Sequence, residues 1–330
     1  MRKLIVVLAL AFAVHAQQPS TGRIDLIGAE IFSIDRSHSF IGFTIGFVGL
    51  TKVHGTFNDL SATILYDDAH PERSSMTMVI EAASIDTDSK QRDGDLLGDS
   101  WFATDKHPKI TFRSTRIEPK GGNRYLVHGE LTMKGVTREI AIPMTRTVPR
   151  QLDSGWGNVR IGGTGTVTIK RSDFGINGPE FWGKALSDDV EIQLDILGNR
   201  PNYDRWGYQS KDKPSIGEVL QKTVETSGAA AAVTQFRELR AQKPNDYNFG
   251  PGQVNLVILR LLQQRKVQDA LTLLTAAAEA YPDESGFHAR MGEAYAMLGD
   301  KASALREYEK AHAMNPDGLE AVEMLRRLSR

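Results

Sequence analysis

From Ile31 to Ile196 apolar and polar residues alternate, the pattern of antiparallel strands that bury one face. Val190, Ile192, Leu194 and Ile196 interleave with Glu191, Gln193 and Asp195. Ile41, Phe43, Ile45 and Phe47 repeat the rhythm, as do Leu60, Ala62, Ile64 and Tyr66 after Gly55, and Ile140, Ile142 and Met144. Asp67-Asp68, Gly121-Gly122-Asn123 and Lys134-Gly135 separate the runs as turns. They predict about eight strands in one meander, a sheet that closes on itself or covers its edges. The alternation breaks between Ser84 and Pro108. There Asp93, Asp95 and Asp99 surround Leu96-Leu97, and Trp101-Phe102 follow, which reads as a short helix and loop over one barrel end.

Residues 199–213 lose all periodicity and read as a linker, whose Tyr203, Trp206 and Tyr208 are candidates to dock on either side. From Pro214 the spacing turns helical: Ile216, Val219, Leu220, Val224, Ala232 and Phe236 precede Pro244. Leu261, Ala270, Leu274, Ala277 and Pro282 form a second frame. Met291, Gly292, Tyr295, Ala304, Tyr308, Ala311 and Pro316 form a third, 34 residues on from proline to proline. Small residues where two helices touch, aromatics in the gap and a closing proline resemble the tetratricopeptide repeat family over 214–330. The first interval is four residues longer, and Asn245 to Pro251 carries the excess. Leu319, Val322, Leu325 and Leu328 supply the capping helix that a solenoid needs. The expected architecture is therefore two domains, an antiparallel lipocalin-like β-barrel followed by an all-α tetratricopeptide-like repeat domain.

Composition narrows the function. With 40 Lys+Arg against 41 Asp+Glu, no basic excess exists to bind a nucleic-acid backbone. The absence of cysteine removes disulfides, thiolate metal sites and cysteine nucleophiles together. Residues 1–16 read as a cleaved signal peptide: Arg2-Lys3, an apolar run from Leu4 to Val14, and small-residue cleavage after Ala16. The apolar run is too short to span a bilayer comfortably. A periplasmic or secreted protein that does not span the membrane is expected.

Within the strands a series of strings is similar to the YceI-like family. It runs Ile34-Asp35 with His38-Ser39, Gly55-Thr56-Phe57, Ser84-Ile85-Asp86-Thr87, Arg92-Asp93-Gly94, Trp101-Phe102 and His107-Pro108 through Phe112. Gly129 to Thr132 with Gly135-Val136-Thr137, and Arg171 to Ile176, complete it. The strings occur in family order across 30–198. The resemblance implies a secreted lipocalin-like barrel associated with polyisoprenoid lipids, with an elongated apolar cavity and no catalytic apparatus. Two departures stand out, both where a lipid head group would be met. Asp95-Leu96 replaces a His-Leu pair, and glycine (Gly46 or Gly49) stands where the first strand pair often carries a charged residue or histidine.

Phe43, Ile45, Phe47, Phe57, Ile80, Ile110, Phe112, Leu131, Val167 and Ile192 are the candidate tunnel lining. The competing reading is a barrel that fills itself with these side chains. Arg92, Asp93, Trp101, Phe102, Phe174 and Trp182 are candidates for the barrel mouth. Against that stands a plug of ordinary core for the rings, and an ion pair pinning the short helix for Arg92 and Asp93. His38, His54, His107 and His128 show no zinc spacing, and Lys90 and Leu97 stand where a calcium loop needs ligands. No nucleophile with its base is apparent, so no enzyme and no cofactor are expected. The expected ligand is a hydrophobic isoprenoid or quinone tail, and the helical repeats are expected either to take a protein partner or to serve as an intramolecular prop or dimer contact; a scaffold with a purely structural barrel is the alternative.

Overall fold

The computed structural model describes residues 29–152, 158–200 and 212–329. The expected signal peptide and the docking of Tyr203, Trp206 and Tyr208 lie outside the described residues.

Eleven segments form one antiparallel sheet: β1 (Ala29–Ile34), β2 (Phe40–Phe47), β3 (Thr51–Phe57), β4 (Leu60–Asp67), β5 (Ser75–Glu81), β6 (Ile85–Asp86), β7 (Lys109–Pro119), β8 (Arg124–Met133), β9 (Val136–Leu152), β10 (Val159–Lys170) and β11 (Leu186–Arg200). Three segments continue a neighbour in sequence. A 3-10 turn at Arg36–His38 separates β1 from β2, Asn58-Asp59 separate β3 from β4, and Ala82–Ser84 separate β5 from β6. Counting each continuation once gives the eight walls of a closed barrel. Closure comes from β1 on β11, with Ser33 opposite Asn199 and Ile34 opposite Gly198, while β2 pairs with the other half of β11. The turn between β8 and β9 places Lys134 and Gly135 at φ 48° and 74°, the two left-handed residues that a tight hairpin requires.

Helix α1 (Lys90–Leu97) begins at Ser89, whose side chain accepts from the Arg92 N–H, and α2 (Glu180–Ala185) precedes β11. Both lie in connections at the same end of the barrel as the β8–β9 turn.

Seven helices follow: α3 (Ile216–Ser227), α4 (Ala229–Gln242), α5 (Pro251–Gln263), α6 (Val267–Ala280), α7 (Ser285–Met297), α8 (Lys301–Met314) and α9 (Leu319–Leu328). They form three antiparallel hairpins and a cap. Gly292 of α7 lets the fully buried Tyr308 of α8 lie on its backbone; a Cβ there would sit 2.7 Å from the ring. The extra residues of the first interval are structural. Asn248 pairs with Pro214 and Ile216 through backbone bonds of 2.8 and 3.2 Å, and Tyr247 and Phe249 pack on the helical core.

The two domains are in direct contact. Outward-facing Leu65 of β4 and Ile31 of β1 join the apolar cluster of Ala289, Ala296, Tyr308 and Met324. Glu323 of α9, with no exposed surface, accepts from Ser75 Oγ and Thr77 Oγ1 of β5, each at 2.5 Å. Arg326 binds that carboxylate and donates to the Ser114 carbonyl of β7 at 2.8 Å. Arg327 reaches the Arg73 carbonyl at 2.8 Å, and Lys109 pairs with Asp317.

Candidate functional site

The alternating pattern sends one set of side chains from every wall inward, and they do not fill the space. A cavity of about 220 Å³ remains, lined almost wholly by apolar groups. Ile80, Phe112, Leu131, Val167 and Ile192 of the expected lining face it, with Ile41, Ile64, Met76, Met78, Ile142 and Met144 beside them. Phe43, Phe57 and Ile110 do not border it, although they belong to the same core cluster as the residues that do. Ile45 sits half-buried on β2, opposite Val53 and Val190, and Phe47 stacks on Trp182 at 6.2 Å.

One device keeps the hollow open. The Phe112 ring lies flat against the wall over Gly129 of the neighbouring strand, where an added Cβ would come within 2.4 Å of it. A strand glycine marks such a close approach, and this signal in the sequence went unread.

The expected mouth residues lie at the barrel end away from Tyr66 and Arg146. Trp101 and Phe174 are buried and Phe102 packs on them, forming a floor with Phe57, whose ring meets that of Phe102 edge-on at 5.9 Å. Trp101 caps Gly178, which stands at φ 70°. Arg92 and Asp93 pin α1 through a shared partner. Arg92 Nε and Nη2 donate to Thr87 Oγ1 and its carbonyl at 2.7 and 2.6 Å, and Asp93 accepts from the Thr87 N–H at 2.9 Å. Trp182 and Phe181 are exposed, at 46% and 72%, outside the floor. These loops all belong to the closed end.

The polar rim lies at the opposite end, around the β4–β5 and β7–β8 connections, where Tyr66, Pro71, Ser74, Tyr125 and Arg146 border the cavity. Tyr66 donates to Asp68 Oδ1 at 2.6 Å, and Arg146 Nη1 donates both to that oxygen at 2.8 Å and to the phenol. Burial, then the bond to Asp68, pushes the Tyr66 hydroxyl up to about 12, so it stays a neutral phenol at physiological pH. Burial alone would lower Arg146, but Tyr66 and Asp68 outweigh it and hold the guanidinium above its ordinary value. No sequence pattern singled out this trio; Arg146 sits in a strand of otherwise unremarkable alternation.

Among the described residues no group of three or more His, Asp or Glu side chains is placed to hold a metal ion. No described helix is long and apolar enough to cross a membrane.

The fold is thus an eight-stranded closed barrel with an apolar cavity and a polar rim. The YceI-like domain profile matches residues 32–197, half of the sequence, and the chain belongs to that family through its barrel. A UPF0312 protein of Shewanella sp. strain W3-18-1 is 34% identical over 173 residues, 52% of this chain and 86% of the relative. BcnA of Burkholderia cenocepacia, a solved structure, is 29% identical with a TM-score of 0.45 over 50% of this chain and 98% of its own. A polyisoprenoid binding domain from Saccharophagus degradans is 19% identical, with a TM-score of 0.40, over 52% and 98% respectively.

Proposed function

We propose that the barrel is a non-enzymatic carrier that holds the apolar tail of a long-chain amphiphile, of the isoprenoid or quinone-tail type, outside the cytoplasmic membrane. The observation that carries this reading is the cavity of about 220 Å³ with its apolar walls. An apolar cavity of ~150 Å³ already takes a benzene ring, whereas sites for drug-sized ligands begin near ~300 Å³. The hollow therefore suits a stretch of tail. A longer chain enters as Met76, Met78 and Met144, unbranched and adaptable, shift along the wall. Each buried methylene contributes about 0.8 kcal/mol, so ten contribute roughly 8 kcal/mol before the ordering costs of binding. No other chemistry is required to hold such a guest.

The C-terminal hairpins read best as tetratricopeptide-like repeats that brace the barrel. In such stacks the face formed by the first helices of the hairpins takes peptides. Here Leu262 of α5, Glu293 and Met297 of α7, and Met324 of α9 border a cleft whose other side is Ala29, Ile31 and Leu65 of the barrel. A protein partner, which the repeat pattern suggests, would have to use the remaining helix surfaces. Export rests on the charged and apolar start of the chain, and N-terminal sequencing of the mature protein should begin at Gln17.

The test is organic extraction and mass spectrometry of full-length protein expressed with export intact, beside Leu131→Trp, which fills the hollow. A tailed lipid is expected from the wild type and little from the variant. No lipid from the wild type sinks the carrier reading; equal loading of the variant moves the ligand out of this cavity.

A further inference from the structure

The cavity is apolar except at one place. Arg146 is the only cation that borders it among the described residues, and its Nε–H is buried with no acceptor there. A buried donor without an acceptor carries the desolvation cost of an unmet hydrogen bond. Nη1 of the same guanidinium is fully engaged by Asp68 and Tyr66, so the orphan is not a loosely placed side chain. It is held at the junction between hollow and rim.

The charge at this junction selects among oxygen acceptors. Asp68 neutralises Arg146 at 2.8 Å, and Tyr66 is uncharged, so the trio sums to zero. A phosphate or carboxylate head would bring one or two negative charges to a site whose single cation is already paired, with the Asp68 carboxylate close by. A carbonyl oxygen brings an acceptor and no charge, and therefore satisfies Nε–H without repulsion.

Resting on the carrier reading above, we propose that Arg146, positioned by Asp68 and Tyr66, is a head-group site for a neutral, carbonyl-bearing amphiphile whose tail lies in the hollow. The tail supplies affinity and Arg146 fixes which end of the guest stays at the rim.

The experiment uses delipidated full-length protein and three probes of similar length: methyl decyl ketone, n-dodecane and dodecyl phosphate, with affinities from equilibrium dialysis. Arg146→Met should weaken the ketone about tenfold, the value of one hydrogen bond to a charged donor, and leave dodecane within about twofold. Wild-type protein should bind the phosphate no more tightly than the ketone. Asp68→Asn, which leaves the guanidinium unpaired, should shift preference toward the phosphate. Dodecane binding reports an intact hollow in each variant; should Arg146→Met lose it, Arg146→Lys, which keeps the charge and lacks Nε–H, is read the same way. Equal effects of the substitution on ketone and dodecane, or a wild-type preference for phosphate, overturn the head-group site while the carrier reading stands. Failure of all three probes to bind wild-type protein overturns both.

Discussion

Replacing Glu323 by alanine should uncouple the two domains. Its carboxylate is fully buried and accepts from two β5 hydroxyls, Ser75 and Thr77, while Arg326 binds it from the next turn of α9. Hydrogen bonds to a charged group contribute about 1.5–3 kcal/mol each. Removing one partner of a buried ion pair costs about 3–5 kcal/mol, since the other charge stays behind unpaired. The two figures describe overlapping losses and do not add, so about 3–5 kcal/mol is expected for Glu323→Ala. That weakens docking by roughly two to nearly four orders of magnitude. Thr77→Val separates the contributions: it removes one bond between domains, leaves Glu323 with Arg326, and should cost about 1.5–3 kcal/mol. Urea unfolding followed in parallel by far-ultraviolet helicity and near-ultraviolet aromatic signals is the assay. Wild type should lose both in one transition, and Glu323→Ala in two, with faster proteolysis between the domains. Coincident transitions at an unchanged midpoint in both variants would refute the reasoning.

Two further outcomes follow from the same geometry. Gly129→Ala puts a Cβ 2.4 Å from the Phe112 ring and 2.7 Å from the Arg113 carbonyl, so the ring must swing into the hollow. Thermal unfolding should report a cost of about 1–3 kcal/mol, and extracted lipid should fall. The Tyr66 hydroxyl titrates near 12 in the folded barrel against ~10 in an unfolded chain. The folded state's preference for the neutral phenol is therefore fully present below pH ~10 and is lost as pH rises toward 12. Stability measured by denaturation across that window should fall more steeply for wild type than for Tyr66→Phe.

The barrel was legible because period-two alternation is a local signal: the runs at Ile41, Leu60, Ile140 and Val190 became β2, β4, β9 and β11. The helical hairpins were legible for the same reason, since Gly292 and Tyr308 answer to a fixed offset. What alternation cannot reveal is height along the barrel. Phe43 and Phe112 share the inward phase and one core cluster, yet only Phe112 borders the cavity. Aromatic loops such as Trp101-Phe102 announce a barrel end without saying whether it is open, and the hydrogen-bonded trio at the other end, Tyr66, Asp68 and Arg146, is scattered through two strands and a turn. The contact between domains escaped as well, since Leu65 and Glu323 carry no pattern that ties residues so distant in sequence.

The seam between β1 and β11 sets an order of assembly. Ser33 cannot meet Asn199 until residue 199 has been made, and Ser75 cannot meet Glu323 until residue 323 has. Contacts of such long range close slowly. Until α9 arrives, Leu65 and Ile31 present a greasy outer wall that invites aggregation. Helix α9 thus acts as a late seal, and a chain cut short before residue 319 should accumulate as insoluble barrel.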